Sequence, residues 1–294
     1  MAATLEGAGL GLASCALTAA VAETEPFALE ARAFFVSWQG VLTLAYRGFP
    51  PPLTALKARL AESVPSLPAE NPGSRWPKTT LGCLREGKRL GKEELGVLQA
   101  ACARHSELFG GSRGLGREAG RDAPSASALS HPYALVPREV HLIVFAQRSL
   151  EKTVASVPIA IRGRADAARG VFAPPSPAER ARLEAVLAEG DEANYWFHAS
   201  KDGNRETHYR GTAFGATVAV PVTAAAVPGG AHRREGLGEG EAQGGAEGQE
   251  AGGRSAPLLS VIEAFRRDVD AALPGYYVWF EDSSLHVTIR GICG

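Results

Sequence analysis

The chain has 294 residues, enough for one large domain or two modest ones, and its 45% hydrophobic and 21% charged content suits a packed core. With 31 basic and 32 acidic residues the formal net charge is -1. That balance excludes a broad basic face for extended duplex nucleic acid, but not a short nucleotide ligand.

Residues 7–22 are uncharged and rich in alanine, glycine and leucine, too short for a membrane span. No lysine or arginine precedes Arg32, so the positive start of a secretory signal is missing. The expectation is a poorly ordered segment over 1–30 and an intracellular protein with no membrane partner, either cytoplasmic or organellar, with plastid and mitochondrion open. Cys15, Cys83, Cys102 and Cys293 show no CxxC spacing, give no zinc or thioredoxin-like signal, and read as free thiols of a reducing compartment.

The first lobe is expected over 31–109. In it "FFVSWQGVLTLAY" (34–46) is rich in β-branched and aromatic residues and reads as strand. A helix follows "PPPL", with Leu53, Leu56, Leu60 and Val64 at helical spacing until Pro65. "WPKTTLGCL" (76–84) reads as strand and 92–105 as helix. Residues 110–130 are small, polar and glycine-rich, and read as a disordered insertion.

A second lobe is expected over 131–223, resuming as a helix and the last motif strand over 257–294. Strands are predicted at 140–147 and 154–161. Ser176 as cap, Pro177 in the first turn, Glu179 completing a capping box and Gly190 as stop predict a helix between them. "NYWFHAS" and "THYRGTAFGATVAVPV" read as strands joined by a hairpin turn at "KDGN" (201–204). Residues 224–256 carry no aromatic and read as a disordered linker. Leu258, Val261, Ile262, Phe265, Val269 and Leu273 form one apolar stripe, so 257–273 is an amphipathic helix. "YYVWF" and "LHVTIRGI" are strands separated by "EDSS".

Both ends of the chain therefore run strand, helix, then a tryptophan-bearing approach into a Thr-containing strand. Aligning Thr80 with Thr288 brings Lys78 onto His286 and Leu81 onto Ile289. By period two, Lys78 and Thr80 share a face, as do His286, Thr288 and Arg290. A base, hydroxyls and fixed cations in a row suit an anion such as phosphate.

On these residues, "WFEDSSLHVTIRGI" and "RWPKTTLGCL", the chain resembles the two-histidine phosphoesterase (LigT-like, cyclic phosphodiesterase) superfamily. Its mark is a His-x-Thr or His-x-Ser motif on a strand in each of two lobes. The resemblance implies an α+β fold of two pseudo-symmetric lobes, each a mainly antiparallel sheet backed by helices, around a central groove. It implies metal-independent, cofactor-free cleavage of 2′,3′-cyclic phosphates on nucleotides or RNA ends. In that chemistry one imidazole activates water, the other protonates the leaving oxygen, and the hydroxyls hold phosphate oxygens. Carried over, the catalytic candidates are His286, Thr288, Lys78 and Thr80, with Arg290 and Arg75 as ligand-binding cations.

Two departures stand out. Lys78 occupies the place of the family's other histidine, and the chain stops at Gly294 directly after the second motif, where family members usually continue. An unshifted lysine stays protonated near neutral pH and binds phosphate as a point charge; it becomes a proton donor only when burial or a neighbouring cation lowers its pKa. Three readings thus stay open: a divergent phosphodiesterase, a phosphate-binding module without turnover, and a scaffold using its linkers. His198 and His208 read as polar hairpin positions, His105 as a helix-end cation, and His131, His141 and His232 as bland; Trp38 and Trp76 read as core. The oligomeric state is not legible.

Overall fold

The computed structural model describes residues 11–65, 67–71, 74–110, 132–163, 171–201, 205–223, 225–226 and 257–293. In chain order the elements are α1 (Gly11–Ala22), β1 (Leu29–Val36), β2 (Leu42–Tyr46), α2 (Pro51–Ser63), β3 (Lys78–Leu84), α3 (Lys92–Ser106), β4 (Ala134–Pro137), β5 (Glu139–Phe145) and β6 (Thr153–Ala160). They continue with α4 (Pro177–Glu189), α5 (Tyr195–Ser200), α6 (Arg205–Arg210), β7 (Gly215–Pro221), β8 (Ala225–Ala226), α7 (Pro257–Ala272), β9 (Tyr277–Trp279) and β10 (His286–Cys293).

The fold is α+β, with helices backing a ten-stranded antiparallel sheet that curls into a half-barrel. The order β6-β5-β7-β10-β3-β2-β1-β4-β8 places the two motif strands side by side at the centre, and β9 pairs with the far end of β3. The two halves of the sheet meet at the β3–β10 contact. They do not follow the chain order of the expected lobes. β4 pairs with β1, β9 pairs with β3, and Phe265 of α7 stacks on Phe34 of β1 at 4.1 Å and 15°. Late segments thus complete the early half.

α7 keeps its stripe: Leu258, Val261, Ile262, Phe265 and Val269 are all buried. Each such side chain contributes about 1.5–3 kcal/mol through its removal from water. Ser176 caps α4 by accepting from the Glu179 N–H at 3.2 Å, while Glu179 turns its carboxylate to the Phe49 N–H and to Arg182.

The stretch 34–46 is two strands, not one. Trp38-Gln39-Gly40 reverses the chain, with Ser37 N–H bonded to Val41 O at 2.8 Å. Gln39 (φ 62) and Gly40 (φ 70) both take the left-handed conformation, and a Cβ on Gly40 would lie 2.5 Å from Leu84 Cδ1. The aromatic content that signals strand hides this turn, because only one glycine marks it.

"NYWFHAS" and "THYR" are also corrected: they fall in the helices α5 and α6, and only Gly215–Pro221 of the second run is strand. In α5, Tyr195 and Ala199 are the buried pair, four residues apart, and the Tyr195 hydroxyl donates to Val36 O at 2.7 Å. That is a helical burial pattern, and it overrides the strand propensity of the aromatics. Residues 202–204 of the expected hairpin turn lie outside the described residues.

Residues 11–30 differ from the poorly ordered start expected of them. The alanine-rich run forms α1, whose Leu17, Ala20 and Val21 are buried, and Arg59 of α2 donates to Ala20 O at 3.1 Å near its C-terminal end. The expected disordered insertions at 110–130 and 224–256 fall almost wholly outside the described residues. The exceptions are Gly110 and the two residues of β8, which pair with β4.

Candidate functional site

β3 and β10 register through Val287 opposite Thr79. Continuing that antiparallel register sets His286 beside Thr80 and Thr288 beside Lys78. Val287 and Thr79 are fully buried on the core face, where the Thr79 hydroxyl meets the Tyr46 hydroxyl at 2.9 Å. The other four side chains line one cleft of about 640 Å³ on the opposite face.

His286 is half-buried, and its Nδ1 lies 2.7 Å from Ser284 O. A carbonyl oxygen only accepts, so Nδ1 carries the hydrogen and Nε2 keeps the lone pair. Burial lowers the pKa of His286, and the Ser284 bond opposes the shift. The turn that carries Ser284 is itself held. Arg266 of α7 pairs with Asp282 at 2.5 Å and donates to Phe280 O at 2.8 Å, and the Ser284 hydroxyl donates to Glu281 O at 2.7 Å.

Lys78 is half-buried, with Nζ 4.2 Å from the centre of the Trp76 ring. Burial brings its pKa down to about 8. Thr80 is hydrogen-bonded to the Tyr209 hydroxyl, whose pKa burial pushes up to about 12. Tyr209 is thereby a neutral hydroxyl near neutral pH.

Sequence reasoning missed the cleft's third wall. α6 brings Arg205, His208 and Tyr209 to it, and the β5–β6 turn brings Arg148 and Ser149. An Arg148 guanidinium nitrogen lies 3.3 and 3.4 Å from the two ring nitrogens of His208. α6 is pinned at both sides. Arg210 binds Glu151 in a two-pronged pair at 2.8 and 2.7 Å and donates to Trp279 O at 3.0 Å, while the Thr207 hydroxyl donates to Glu86 at 2.9 Å. Leu150, in the same turn as Arg148, has φ 61. Among the described residues lining the cleft are Lys78, Arg148, Arg205, His208 and His286, and no aspartate or glutamate.

Arg290 does not line this cleft. β10 pairs Thr288 with Ala219 and Arg290 with Val218, so one extra residue bulges between them and the alternation breaks. Arg290 is buried and donates to Pro68 O, beneath the loop that brings Asn71 and Ser74 to the cleft. Arg75 lies outside it too, lining a neighbouring pocket of about 470 Å³ that shares Trp38, Trp76 and Lys78 with the cleft. Trp38 is exposed rather than core, whereas Trp76 is half-buried.

His105 bonds Asp268 at 2.8 Å, and His141 bonds Glu139 and Ser156 at 2.9 Å each. His131 and His232 lie outside the described residues. Among the described residues all four cysteines are free, no group of three or more His, Cys, Asp or Glu side chains is placed to hold a metal ion, and no helix is long and apolar enough to cross a membrane.

No protein-family model, no curated protein and no solved structure matches the chain.

Proposed function

We propose that the cleft binds a phosphate ester and that the protein is a divergent two-histidine phosphoesterase, hydrolysing the 2′,3′-cyclic phosphate of a nucleotide or RNA end. The observation that carries this reading is the cleft's composition. Among the described residues, three cations, two imidazoles and the hydroxyls of Ser74, Thr80, Thr288, Ser149 and Tyr209 line it and no carboxylate does, in a chain whose net charge is -1. Such a concentration of positive groups selects an anion.

The two motif strands supply opposed roles. His286 Nε2 takes a proton from water as the water oxygen bonds to phosphorus. The bond from phosphorus to one ribose oxygen breaks, and the Lys78 ammonium gives that oxygen its proton. Thr80 and Thr288 hold the non-bridging oxygens, and Arg148 and Arg205 offset the charge that develops on them. A lysine fits the acid role because burial has brought its pKa near the working pH.

The test is hydrolysis of a 2′,3′-cyclic nucleotide in the presence of a chelator. Wild type should form a phosphomonoester and His286→Ala should not. Lys78→Arg should bind the nucleotide but fail to turn it over, because guanidinium keeps its proton. Turnover that survives His286→Ala overturns the mechanism. Phosphate-dependent binding without wild-type turnover would leave a binding module, and absence of both would leave the scaffold reading.

A further inference from the structure

Trp38 sits at the tip of the β1–β2 turn with 56% of its surface exposed. Its plane is nonetheless fixed. Indole Nε1 donates to Glu189 at 3.0 Å, and the ring stacks on His198 with centroids 5.0 Å apart and planes at 19°. Phe197, 54% exposed, meets the same imidazole edge-on at 5.9 Å. Trp38 thus holds a large aromatic surface in the open where it lines the cleft, with Phe197 exposed beside His198.

The pocket next to Trp38 carries Arg75 and Arg182 as well as Phe35 and Val186. Its acidic lining residue, Glu189, is the one bonded to Trp38. Because Trp38, Trp76 and Lys78 line both cavities, the pocket is a continuation of the phosphate cleft. Exposed flat rings interleaved with cations are what a single-stranded polynucleotide requires: each base has a face to stack, and each linkage has a charge to meet.

We propose that this pocket and its aromatic rim hold the nucleotide preceding the reacting end, so that the substrate is a single-stranded oligoribonucleotide with a terminal cyclic phosphate rather than a free mononucleotide. The inference rests on the phosphodiesterase reading of the cleft. Trp38 stacks the base, and Arg75 and Arg182 meet the adjoining phosphodiester.

The experiment compares kcat/KM for a 2′,3′-cyclic mononucleotide with that for a short oligoribonucleotide ending in the same cyclic nucleotide. The oligoribonucleotide should be preferred by about 10-fold or more, the scale of one stacked base. Trp38→Ala should shrink that preference. The double variant Arg75→Ala, Arg182→Ala should shrink it too and flatten its dependence on salt. Equal kcat/KM for the two substrates, or a preference unchanged in all these variants, overturns the inference while leaving the phosphodiesterase reading standing. If neither substrate is turned over, that reading fails and affinity decides the inference. The same oligoribonucleotide should then bind about 10-fold tighter than the mononucleotide, with Trp38→Ala removing the difference. Equal affinities overturn it.

Discussion

Val287 lies directly opposite Thr79, and this pairing brings together motifs that are 208 positions apart in the chain. Both residues point into the core, so their neighbours on each strand must point the other way. His286 and Thr288 on one strand and Lys78 and Thr80 on the other form a four-cornered floor. Each basic group stands across the strand gap from a threonine. The approximate two-fold relation places His286 and Lys78 at diagonal corners of that floor, an arrangement that suits the proton transfers proposed above.

Under the proposed mechanism the pH dependence of turnover would follow from these two groups. His286 acts as base only when neutral, and its pKa is lowered, so the acid limb of kcat/KM should lie below the ordinary imidazole value. Lys78 acts as acid only when protonated, so the alkaline limb should fall near pH 8. Lys78→His should move the alkaline limb downward. A profile in which that limb stays in place would show that Lys78 is not the acid.

Lys78 should also cost stability. Its folded pKa of about 8 lies below the unfolded lysine value, so the unfolded state binds more protons between the two and stability rises with pH across that window. Lys78→Met should abolish this rise and stabilise the protein at pH 7 by of order 1–3 kcal/mol, while losing turnover. Urea unfolding at pH 7 and pH 10 checks both parts.

In the proposed mechanism Asp282 would act only through the turn that holds His286. Asp282→Ala removes the pair with Arg266, loosens Ser284 and frees the imidazole. The expected loss in kcat is roughly 10- to 100-fold with a smaller change in KM. An effect confined to melting temperature would make the pair merely structural.

Glu151 clamps α6 through Arg210. Burial opposes ionisation of its carboxyl, but the hydrogen bonds from Arg210 and Ser149 outweigh it and hold the pKa below the usual value. A depressed carboxyl contributes stability that is present above the unfolded pKa and lost as pH falls through the folded one. Glu151→Gln should therefore destabilise the protein by about 1–3 kcal/mol at pH 7 and less at pH 3. It should also weaken phosphate binding, because α6 carries Arg205 and His208. Unchanged binding would detach α6 from the site.

What could be read along the chain was whatever local pattern decides. The α7 stripe repeats every three to four residues, and Ser176-Pro177 marks a helix start by its own hydrogen-bonding chemistry. The alternation in "LHVTIR" and "PKTTLG" places His286, Thr288, Lys78 and Thr80 on shared faces, because strand geometry has a period of two. Those four residues, the floor of the cleft, were legible for that reason.

Tertiary structure decided what depends on a partner element. The short aromatic segments of α5 and α6 have strand-like propensity, and packing of Tyr195 and Ala199 together with the Glu151–Arg210 clamp makes them helical. His208 and Arg148, 60 positions apart, therefore meet at a wall that neither local sequence announces. Arg290 obeys the alternation in sequence and leaves the cleft in space, because β7 imposes a bulge on β10 that exists only once the two strands pair. The pKa of Lys78 belongs to the same class: an isolated chain solvates its ammonium, and only the assembled cleft wall removes enough of that water to bring the pKa down to about 8.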